Sequence, residues 1–250
     1  MKMRVARPRR LVAGLLTFMI VATGLFAIWL TYIGAFGGQL YFDLPAQKVR
    51  DQPRSDVAIV LLSGDMGFRI GMGPQVAERL AAKGYAVTGV SSLVHFRKAR
   101  TPAKITRFVA DAMAHATAVT GARRLILIGQ SYGADMLHVG LTTLSPALRQ
   151  KVALAALVVP TDTVYYDISP GETFEWDAPD AMAIDTARRL DWVPALCIQG
   201  RDETNSLCPL LRQPNVERVA LPGGHPLHRD AGAVADVLAG KIRTVLGPTS

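Results

Sequence analysis

At 250 residues, half of them apolar, the chain is long enough for one domain of ordinary size plus an appendage, with a substantial core. Its net charge of +8 is concentrated at the start: Lys2, Arg4, Arg7, Arg9 and Arg10 precede the first apolar run, and the rest is nearly neutral. That remainder has no basic stripe with interleaved aromatics, so nucleic acid is not an expected partner.

Behind the basic tip (residues 1–10), residues 11–36 carry no charged side chain. As a helix this run extends roughly 39 Å, more than the ~30 Å hydrocarbon core of a bilayer. A cleaved signal peptide is the alternative, but its apolar stretch is usually shorter and ends in a small-x-small site, which Gly34-Ala35-Phe36 does not supply. The expectation is an uncleaved transmembrane anchor. Positive charge on the amino side stays cytoplasmic. The body should then lie in the periplasm of a bacterium, tethered to the inner membrane by a single pass.

Residues 37–55 are polar and proline-bearing, and read as a linker with room for one edge strand. The body spans 56–250. There Val57–Ser63 ("VAIVLLS") is a continuous apolar run, as expected of a strand covered on both faces. Further strands are predicted at Tyr85–Val90, Leu125–Ile128, Ala153–Val159, Ala195–Gln199 and Val216–Leu221. Helical spacing falls between them, at Pro74–Lys83, Ile105–Val119, Ala134–Leu144 and Ala231–Val245. This alternation predicts an α/β fold with a mostly parallel, doubly wound sheet. The segment 161–185 breaks the rhythm. It carries seven acidic residues, no Lys or Arg, and several aromatics. Asp162, Tyr165, Tyr166 and Trp176 are candidates for an acidic, aromatic wall that favours a cationic substrate. A solvated loop anchored by its aromatics is the plainer alternative.

The stretch "LILIGQSYGAD" places Gly129-Gln130-Ser131-Tyr132-Gly133 between a predicted strand and a predicted helix. Strand, Gly-x-Ser-x-Gly, helix is the nucleophile elbow of the α/β-hydrolase fold, where small neighbours let strand and helix close on a strained serine. A serine hydroxyl is a weak nucleophile and needs a base, which in turn needs an orienting carboxylate. In this fold the order along the chain is serine, acid, histidine. His225, in "LPGGHPLH", follows the sixth strand and is the candidate base, with His228 its rival. Asp202 or Glu203, in "GRDE" after the fifth strand, is the candidate acid, and Asp162 a less favoured one. His95, His115 and His138 precede the serine or sit too near it, so a structural or substrate-facing role is expected of them. Backbone N–H groups of Tyr132 and of Asp65 or Met66, in "SGDMGF", are the candidate oxyanion donors.

Two cysteines, Cys197 and Cys208, are able to close a small loop outside the cytoplasm. The alternative is that Cys197 is a buried free thiol. No metal site is expected, because the His225/His228 spacing lacks further ligands. No cofactor is expected either.

Taken in order, "LLSGDMGF", "GVSSLVHFRKARTP", "LILIGQSYGADML", "LCIQGRDETNSLCP" and "LPGGHPL" resemble the VirJ/AcvB proteins of bacterial virulence and lipid metabolism, over roughly residues 56–246. The resemblance implies an α/β-hydrolase outside the cytoplasm. Some members remove lysine or alanine from aminoacyl-phosphatidylglycerol, which implies an anionic phospholipid with an aminoacyl headgroup as partner. It also implies triad roles for Ser131, His225 and one of Asp202 and Glu203, while Cys197 and Cys208 match a recurrent pair. The chain departs from the pattern at Gln130, where an aromatic is expected, and at Ser91, where an acid is. The segment 161–170 also looks longer. Two other readings stand beside the aminoacyl-ester hydrolase: a less selective periplasmic esterase or lipase, and a non-catalytic binding or assembly factor associated with type IV secretion.

Overall fold

A computed structural model of the chain describes residues 8–47, 56–168 and 178–247. In chain order its elements are α1 (Pro8–Ile33), β1 (Tyr41–Leu44), β2 (Val57–Leu62), α2 (Met72–Ala82), β3 (Ala86–Val90), α3 (Ser92–His95), α4 (Pro102–Thr120), β4 (Arg124–Gln130) and α5 (Tyr132–Leu141). There follow α6 (Pro146–Arg149), β5 (Val152–Val158), β6 (Thr163–Val164), β7 (Ala181–Met182), α7 (Ala183–Ala187), β8 (Ala195–Gly200), β9 (Val216–Leu221) and α8 (Ala231–Leu246). Seven strands form one sheet in the order β1-β3-β2-β4-β5-β8-β9. Only β1 runs antiparallel, pairing with β3 at the edge; the other pairs are parallel. β6 and β7 form a separate two-stranded ribbon.

The six residues of β2 are all buried because both of its faces are covered. Ala58, Val60 and Leu62 pack with Ile105, Phe108, Val109, Met136 and Val139, under α4 and α5. Val57, Ile59 and Leu61 pack with Val76, Leu80, Val234, Leu238 and Ile242, under α2 and α8. The period of two along a strand thus divides the core into two layers. α4 starts where Thr101 accepts the Lys104 N–H and Pro102 fills the first turn, and it stops at the left-handed Gly121.

α1 is different. Residues 12–33 are long and apolar enough to cross a membrane, and no part of the best window is covered by the body. Leu15, Phe18, Ile20, Leu25 and Trp29 are exposed, an apolar surface that water would not tolerate. Only the far end docks: Ile33 is buried, and the Arg69 guanidinium lies 5.3 Å from the ring centres of both Tyr32 and Phe42.

α5 is buried along its whole length and carries His138, whose Nδ1 is 2.8 Å from Thr186 Oγ1. Burial pushes its pKa from 6.5 down to about 3. The neutral imidazole is therefore the folded form, while the unfolded chain takes up a proton below pH 6.5. Stability contributed by the depressed pKa is full above pH 6.5 and drains away as pH falls toward 3. Urea titrations should show the protein losing roughly 3 kcal/mol from this one group between pH 7 and pH 4. A His138→Asn variant, weaker at pH 7, should show a correspondingly flatter decline. Parallel declines for the two proteins would dismiss the assignment.

Candidate active site

β4 ends at Gln130, and the chain turns through Ser131 at φ 51°, ψ −127° before α5 begins at Tyr132. A non-glycine residue with positive φ is strained, and the surroundings hold it there. The Ser131 N–H donates to Val158 O (2.8 Å), and Ser131 O accepts from the Ala134 N–H (2.7 Å). The two flanking glycines are required by close approach. A β-carbon on Gly129 would lie 2.3 Å from Gly133 O, and one on Gly133 would lie 2.4 Å from Ser63 O. Strand β4, helix α5 and the end of β2 therefore meet with no room for a side chain between them, and the Ser131 hydroxyl is left standing at the carboxyl edge of the sheet.

His225 reaches it from the loop after β9. Ser131 Oγ and His225 Nε2 are 2.8 Å apart, and His225 Nδ1 is 2.6 Å from Glu203 Oε1. A carboxylate can only accept, so Nδ1 carries the hydrogen and Nε2 is left to accept from the serine hydroxyl. Glu203 is held in turn: its other oxygen, Oε2, accepts the Gly200 N–H at 3.1 Å, and its side chain is only 1% exposed. The two loops touch at Gly200, where a β-carbon would fall 2.4 Å from Gly224 O. Cys197 and Cys208 are disulfide-bonded and close the loop that carries Glu203. By loop-closure entropy such a link is worth about 3 kcal/mol.

The structure places the sequence alternatives differently. Of the adjacent acids, Glu203 meets the imidazole, whereas Asp202 is exposed and contributes its backbone N–H to Gly223 O. His228 is exposed, with its ring against Gly223. The remaining histidines do not line the cavity and have partners elsewhere. His95 stacks on Phe108 and has its pKa lowered to about 4, first by burial and then by the Arg100 charge. His115 bonds Asp43 at 2.9 Å.

A cavity of about 450 Å³ opens beside the hydroxyl, lined by Gly64 to Gly67, the Ile70–Gly73 stretch, Gln75, Gln130, Val159, His225, Pro226 and Arg229. Asp65 and Met66 occupy a turn closed by the Gly67 N–H on Gly64 O (3.1 Å), and a β-carbon on Gly64 would be 3.5 Å from Ser131 Cβ. Tyr132 follows Ser131 as the first residue of α5, with its ring packed in the core near Phe96. The candidate oxyanion donors therefore flank the serine from two sides.

The described part of the expected acidic, aromatic wall does not line this cavity. Asp162, Tyr165 and Tyr166 are not among its described lining residues. Asp162 is tied through its backbone to Asn205 O and the Ala183 N–H, and it makes no contact with His225 that would serve the alternative acid role. Tyr166 packs against the core layer under α4 and α5. Residues 161–164 are instead paired through their backbone with β7 and Ser206. Trp176 lies outside the described residues. The cavity wall comes instead from the loop after β2, together with Arg229 beyond His225. Sequence reasoning did not single out Ile70, Met72, Gln75 or Arg229, and no local pattern marks them.

Among known families, the model described as "Bacterial virulence protein (VirJ)" matches residues 56–246. No curated protein matches the sequence. Several solved structures are similar in fold at low identity. MenH from S. aureus is 12% identical with a TM-score of 0.57, over 84% of this chain and 100% of that one. Est1E from Butyrivibrio proteoclasticus is 13% identical with a TM-score of 0.57, over 82% and 93%. Proline iminopeptidase from Mycobacterium smegmatis is 14% identical with a TM-score of 0.55, over 82% and 94%. The body thus has the α/β-hydrolase fold expected from its elbow.

Proposed function

We infer that, because the chain belongs to the VirJ family of bacterial virulence proteins, it is a membrane-anchored serine esterase that cleaves the aminoacyl ester of aminoacyl-phosphatidylglycerol. One observation carries the reading: an unbroken hydrogen-bonded chain from Ser131 Oγ through His225 to the buried carboxylate of Glu203. Ser131 Oγ attacks the ester carbonyl while His225 Nε2 takes its proton. The carbonyl oxygen becomes an oxyanion facing the N–H groups of Tyr132 and of Asp65 or Met66. Collapse breaks the bond to the glycerol oxygen, which leaves with the proton from His225. Water then repeats the sequence and frees the amino acid, with Glu203 holding the imidazole throughout.

The lipid part of the reading is supported by where the cavity sits. The loop after β2 lends Asp65, Met66 and Ile70 to the cavity and Arg69 to the end of α1. With α1 in a bilayer and its basic end cytoplasmic, the mouth lies close to the periplasmic membrane surface and meets a lipid headgroup without extracting it. Purified full-length protein mixed with vesicles containing lysyl- or alanyl-phosphatidylglycerol should release free amino acid. Release of fatty acid instead would identify a general lipase. Absence of both products, together with no labelling of Ser131 by a fluorophosphonate, would favour the binding-factor reading.

A further inference from the structure

The loop that delivers His225 continues into an unusual turn. Leu227, His228 and Arg229 have φ values of 48°, 50° and 59°, so three consecutive non-glycine residues occupy the left-handed region. The turn is held by Leu227, which is buried in the core, by the Arg229 N–H on Pro226 O (2.7 Å), and by the Asp230 N–H on Leu227 O (3.0 Å). Its result is that Arg229 lines the same cavity as Ser131 and His225. The guanidinium has no acidic partner within salt-bridge distance among the described residues. Two nearby carboxylates are engaged: Asp230 caps α8 through the Ala233 N–H at 2.9 Å, and Glu203 is held by His225. Asp65, the other charged residue of the cavity wall, stands on the loop after β2.

We propose that Arg229 binds an anionic group carried on the leaving alcohol of the substrate, a phosphodiester, and so selects esters of phosphate-bearing alcohols. The inference rests on the esterase reading and says which side of the scissile bond is charged. His225 must protonate the departing oxygen, so its loop defines the alcohol side of the cavity. Arg229 is on that loop, four residues on. A fixed arginine fork is suited to phosphate oxygens, and a strained backbone that aims it into the cavity serves such a purpose.

The test compares three esters: monoacetylglycerol, the monoacetyl ester of glycerophosphoglycerol, and alanyl-phosphatidylglycerol in phosphatidylcholine vesicles. Arg229→Gln should raise KM for the soluble phosphodiester about 10-fold to 100-fold, the range of a lost charge-assisted contact. It should leave monoacetylglycerol hydrolysis within twofold, and Arg229→Lys should recover part of the loss. A matching loss on the vesicle ester supports the phosphodiester as the bound anion, whereas a loss confined to vesicles would overturn it in favour of the assembled lipid surface. Equal effects on the neutral and anionic soluble esters, with vesicles unaffected, would overturn the proposal while leaving the esterase intact. If Ser131→Ala hydrolyses all three like the unaltered protein, the esterase reading falls first.

Discussion

Replacing Ser131 by alanine should lower the rate of ester cleavage by about 10⁴-fold to 10⁶-fold, the scale on which nucleophile and base fail together in serine hydrolases. The substitution deletes only Oγ and its 2.8 Å contact with His225 Nε2. It keeps the β-carbon, so the strained turn at φ 51° is occupied by a residue with the same steric demand. Thermal melting should therefore shift little while turnover collapses. The check is amino-acid release from aminoacyl-phosphatidylglycerol vesicles, with fluorophosphonate labelling as a second readout. Unchanged release by the alanine variant would remove the serine mechanism altogether.

The second large effect separates two neighbours in sequence. Glu203→Gln should reduce kcat by about 10²-fold to 10⁴-fold, whereas Asp202→Asn should change it less than threefold. Glu203 Oε1 accepts from His225 Nδ1 at 2.6 Å. A glutamine can turn its NH₂ toward that nitrogen, which then holds the wrong tautomer, with the hydrogen on Nε2 where the serine proton must go. It also forfeits the negative charge that steadies the imidazolium formed during attack. The volume is nearly the same, so the fold should persist, and the loss should appear in kcat more than in KM. Asp202 is exposed and reaches the site only through its backbone. Equal losses in both variants would break the assignment of Glu203 as the orienting acid.

The order of strands and helices was legible because each large element carries its own period. The expected strand at Val216–Leu221 agrees with β9, and the others agree within a few residues at their ends. The helix expected at Ala134–Leu144 is Tyr132–Leu141: it begins at once after the strained serine, and the Thr142 hydroxyl bonds back to Val139 O as the helix closes. The short pieces α3, α6 and α7 and the β6–β7 ribbon went unread, since two to five residues do not establish a period. An acidic composition suggested a substrate wall at residues 161–185. Composition says nothing about which way a loop folds, and the described part of this one pairs with β7 and Ser206.

By itself the sequence determined what local sterics and periodicity can encode. These are an apolar helix ahead of the body, a buried parallel sheet, and a serine set between two glycines at a strand-to-helix turn. Only the tertiary structure decided what depends on direction between distant segments. Glu203 rather than Asp202 turns inward, His225 rather than His228 meets the hydroxyl, and Arg229 comes to the cavity mouth. Adjacent residues in a turn differ little in composition but point to different sides, and only the fold brings the loop at Gly200 against Gly224 and Glu203 to His225.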